Sequence, residues 1–77
     1  MTPEQQTTII KAVAGGKSWS VAAEGAGLHP ETLLQIVFDV RSGKMPAMVD
    51  FVDQLKQAGM VATARSLAQQ TRRPEYA

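Results

Sequence analysis

The chain has 77 residues, no cysteine, 44% hydrophobic residues and a formal net charge of +1, from 8 Lys and Arg against 7 Asp and Glu. That length suits one domain whose single core supplies about 3–5 kcal/mol, and the absent cysteines exclude disulfides and thiolate metal ligands. The near-neutral charge lacks the positive excess of a dedicated nucleic-acid binder, so any such role needs clustered basic residues.

The first element expected is a helix over residues 3–14. Thr2 caps it, Pro3 fits its first position, and Gln5 completes a capping box. Ile9, Ile10 and Val13 form its apolar stripe with Ala12 and Ala14 beside it, and Gly15-Gly16 stops it. Ser18 then caps a short helix over residues 19–25, with Val21 and Ala22 expected inward. Gly25-Ala26-Gly27 is too flexible to continue that helix, and Leu28 sits in the turn to pin its neighbours. His29 precedes Pro30, which disfavours helix at His29 and opens a third helix over residues 30–41, stopped by Ser42-Gly43-Lys44.

Met45-Pro46 starts a fourth helix by the same proline logic, with Met48, Phe51, Val52 and Leu55 at helical spacing. Gly59 is expected to end it. A fifth helix, about residues 60–70, places Val61, Ala64, Leu67 and Ala68 on one stripe, with Arg65, Gln69 and Gln70 opposite. No segment alternates with period two, so no sheet is expected. The fold class is all-α: a compact bundle of four to five short helices in one domain over residues 1–71. It ends in a helical hairpin over about residues 46–70, and residues 72–77 are expected to be a flexible tail.

Residues 19–41 run in the order helix, tight turn, proline-started helix. The phrase Gly16-Lys17-Ser18, then Ala22, Ala23, Ala26, Gly27, Leu28 and Thr32, resembles the helix-turn-helix of small phage and bacterial regulators and of phage small-terminase subunits. The resemblance covers about residues 11–41. The next two helices are similar in layout to those of the lambda-type CII activators. The resemblance implies a protein that binds double-stranded DNA as a homodimer, serving transcription regulation or DNA packaging. It implies that His29, Glu31, Thr32 and Gln35 approach the bases, with Gln35 suited to adenine. It further implies that Lys17, Ser18, Ser20, Arg41 and Lys44 hold the phosphate backbone, and that Arg72 and Arg73 add to this or reach a minor groove.

The third helix departs from that pattern. Glu31 and Asp39 repel phosphate, and no Lys or Arg lies in residues 31–40. Leu33, Ile36 and Val40 serve the core side, while Leu34, Val37 and Phe38 are apolar on another. A helix apolar on two sides is covered on two sides. The cover comes from the later helices or from another chain. The alternative function is therefore a protein-interaction module, such as an inhibitor or adaptor of a host protein, docking through Leu34, Val37, Phe38, Met48 and Phe51.

Other signals are bland. His29 is the single histidine and reads as a turn residue before proline, since no second His and no Cys completes a metal site. Trp19 reads as a cover for the core and the Met residues as gap fillers. Asp50 and Asp53 read as a solvated helix face. No nucleophile–base pair, phosphate loop or metal spacing is present, so the expectation is a non-enzyme without cofactor or metal. No apolar run approaches the ~20 residues of a membrane span and no signal peptide opens the chain, so a cytoplasmic protein is expected.

Overall fold

Three helices stop at the same backbone closure. In the computed structural model, which describes residues 1–71, Gly16, Gly27 and Gly43 have φ of +95°, +78° and +80°. After each, the next amide reaches back five residues: Lys17 to Ala12, Leu28 to Ala23 and Lys44 to Asp39, at 3.0, 2.9 and 2.8 Å. The glycine amide itself bonds to the carbonyl three residues earlier. Only glycine takes this left-handed position without steric cost, and the pair of bonds satisfies carbonyls that a helix end leaves open.

Those stops delimit α1 (Pro3–Ala14), α2 (Trp19–Gly25) and α3 (Pro30–Arg41), with the bounds expected from the sequence. The starts are equally local. Thr2 and Gln5 form the reciprocal capping box, with the Gln5 amide donating to Thr2 Oγ1 at 3.1 Å and the Thr2 amide to Gln5 Oε1 at 2.9 Å. Ser18 Oγ accepts from the Val21 amide at 3.2 Å. His29 Nδ1 accepts from the Glu31 amide at 3.2 Å, so His29 caps α3 as well as preceding its proline.

The C-terminal part corrects the expected hairpin. A single 3-10 turn, Pro46–Met48, leads into one unbroken helix, α4 (Val49–Thr71), of 23 residues. Gly59 lies inside it, without a positive φ. The physical reason lies in the next three residues: Met60-Val61-Ala62 offers neither a cap nor a proline to start a new helix. An interior glycine costs only about 1 kcal/mol against alanine, too little to break a helix with good formers on both sides.

All four helices feed one core: Ile9 and Val13 of α1, Ala22 and Ala23 of α2, Leu33 and Val37 of α3, and Phe51, Val52, Leu55 and Ala58 of α4. The fold is all-α, with no strand among the described residues. α4 packs chiefly on α1, and α3 chiefly on α2. Three placements differ from expectation. Val37 and Phe51, expected at an interface, are core residues, 7% and 3% exposed. Val21, expected inward, is half exposed; Ala22 and Ala23 make the inward pair instead.

α4 outruns the body it packs on. A 23-residue helix is about 34 Å long, and no described residue beyond Ala58 is buried. The molecule measures 52 × 24 × 18 Å.

Candidate interaction surface

α3 turns one face inward through Leu33 and Val37, which are four residues apart and so stack on one side of the helix. The opposite side is set by the same periodicity. Glu31, Leu34, Gln35 and Phe38 lie along or beside it, and all are exposed, as is Arg41 at the end of the helix. Leu34 is 55% exposed and Phe38 61%. α4, docked on α1, leaves this side of α3 open.

Trp19, the first residue of α2, is partly buried against the core, as expected. It also walls two grooves. One is lined by Trp19, Glu31, Leu34, Gln35, Val37, Phe38 and Arg41. The other runs beside α4 and is lined by Trp19, Leu55, Lys56, Gly59, Met60, Thr63, Ala64 and Leu67. Both are open along their length; the first mixes Glu31, Gln35 and Arg41 with apolar side chains, and the second is mainly apolar.

The residues implied as base-reading lie at the start and on the outer side of α3. His29, Glu31 and Thr32 are exposed at the start of α3. Gln35 is exposed, but its Nε2 donates to Asp39 Oδ1 at 2.9 Å, one turn on. Its amide is thus held by a carboxylate of its own helix. Lys17, Ser18 and Ser20 are exposed at the start of α2, with the Ser18 hydroxyl occupied as a cap. Arg41 and Lys44 are exposed at the far end of α3, about 14 Å along the axis from Thr32. Arg72 and Arg73 lie outside the described residues. Met48 is half-buried at the core's edge, with Gln6 Nε2 4.0 Å from its sulfur.

The surface the sequence reading missed is the second groove. Met60, Val61 and Leu67 are 70%, 50% and 56% exposed. Their signal was present: Met60, Ala64 and Leu67 recur at four and three residues, which makes a stripe on any helix that continues through Gly59. Among the described residues no three His, Asp or Glu side chains converge to hold a metal ion. No helix among them is long and apolar enough to cross a membrane. No known protein family, no curated protein and no solved structure matches the chain.

Proposed function

We propose that this chain is a protein-interaction module that receives an apolar helical segment of another polypeptide in the groove between Trp19 and the outer face of α3. One observation carries the reading: Leu34 and Phe38, adjacent on that face, are 55% and 61% exposed. Full burial of such side chains stabilises by about 1.5–3 kcal/mol each, so an occupant that covers them gains much of that amount. The tethered Gln35 and the acidic Glu31 and Asp39 make the same face a poor match for a phosphate-lined groove.

The second reading is a DNA-binding helix-turn-helix acting as a homodimer. It is favoured by the α2–α3 connection, in which Gly27 turns over the fully buried Ala23, and by the exposed Lys17, Thr32, Arg41 and Lys44. In that reading the first turn of α3 meets the bases and the flanking cations meet phosphate.

Fluorescence polarisation on random duplex DNA separates the two. The expected result is no binding at low salt. Binding that weakens steeply with salt and survives Phe38→Ala overturns the interaction module and installs the second reading.

A further inference from the structure

We infer that the occupant of the Trp19–Leu34–Phe38 groove is the projecting end of α4 from a second copy of this chain. The inference rests on the groove being a protein-docking surface. The first observation is the state of that end. Residues 59–69 continue a docked helix into solvent with Met60, Val61 and Leu67 half or more exposed. Covering these apolar side chains stabilises the assembly in proportion to the area removed from water. Its own chain covers only the side of Gly59 and Ala62, which are half-buried, and leaves Met60, Val61 and Leu67 open.

The second observation is area. Leu34, Phe38, Met60, Val61 and Leu67 together leave on the order of 500 Å2 uncovered per copy, and a two-fold contact uses that amount twice, near the ~1,000 Å2 of a specific interface. Because each copy owns both a groove and a helix end, a two-fold axis fills two grooves with two helices and leaves neither open. Trp19 walls both grooves, which makes the covered surface continuous.

Sedimentation and light scattering of the full chain from about 1 μM to 1 mM test this. The expected result is a reversible monomer–dimer equilibrium, weakened at least ~tenfold by Phe38→Ala and by Leu67→Ala. Both positions are exposed, and circular dichroism confirms that the variants keep their helix content. A strict monomer overturns the inference, and so does a dimer indifferent to Phe38→Ala. Anilinonaphthalene sulfonate separates the monomer outcomes. If the dye binds the wild type and not Phe38→Ala, the groove remains a docking surface and only the second copy is excluded. If it distinguishes neither, both fall.

Discussion

Gly59 faces Val13 with room to spare: a Cβ built on Gly59 would sit 3.9 Å from Val13 Cγ1, an ordinary van der Waals distance. The backbone there is helical, so alanine fits without strain. Gly59→Ala is expected to raise stability by about 0.5–1 kcal/mol, through a less flexible unfolded chain and one added methyl contact. Gly27→Ala is expected to do the reverse. Its φ of +78° costs a side chain about 1–2 kcal/mol even though nothing lies within 4 Å. Thermal unfolding reads both. A Gly59→Ala variant that melts lower would mean that α4 bends or breaks at this point in solution.

The two phenylalanines give a paired test. Phe51 is 3% exposed and Phe38 61%. Phe51→Ala is expected to cost about 3–5 kcal/mol, comparable with the whole stability of so small a domain, and to leave the chain largely unfolded. Phe38→Ala, measured where the chain is monomeric, is expected to stay within about 0.5 kcal/mol of wild type. Urea titration distinguishes them. Equal losses at low concentration would show that α3's outer face is covered within one chain.

The contrast between those residues explains what was legible in the sequence. The stops at Gly16, Gly27 and Gly43 are readable because a capping serine or a proline comes within three residues of each: Ser18, Pro30 and Pro46. Gly59 has the same residue type without that sequel, so the rule that served three times failed at the fourth. α3 was legible as a helix, but its inward side only in part: Leu33 and Val40 were expected on the core and pack there, whereas Val37 was expected at an interface. Six apolar residues among residues 33–40 leave several faces equally plausible until α2 and α4 select Leu33 and Val37. The exposed pair Leu34 and Phe38 was readable as surplus to the core. What left it uncovered depends on α4 packing along α1, a tertiary fact no local pattern encodes.

Capping matters most where the helix is shortest. α2 has 7 residues, and its N-cap bond runs from the Val21 amide to Ser18 Oγ. A helix this short persists only by packing and capping. Ser18→Ala is expected to cost about 1 kcal/mol and to speed amide exchange at the start of α2 more than in α1. The same experiment on Thr2→Ala should mark α1's first turn instead. If Ser18→Ala leaves both stability and exchange unchanged, water serves the Val21 amide as well as the hydroxyl does.

The tether between Gln35 and Asp39 supplies the sharpest test of what α3 is for. If α3 reads DNA, Asp39 both occupies Gln35 and repels phosphate. Asp39→Ala would then release the amide, remove a negative charge, and raise affinity for duplex DNA with a steeper salt dependence. If the outer face docks protein, the substitution changes nothing in a DNA titration, because neither wild type nor variant binds. The same variant should weaken association only modestly, since Asp39 is not among the residues lining the groove. Polarisation on random duplex and light scattering, run on the same samples, read the two consequences. Absence of DNA binding at low salt in both proteins is the expected outcome, and a clear gain for Asp39→Ala would move the function of α3 from protein to nucleic acid.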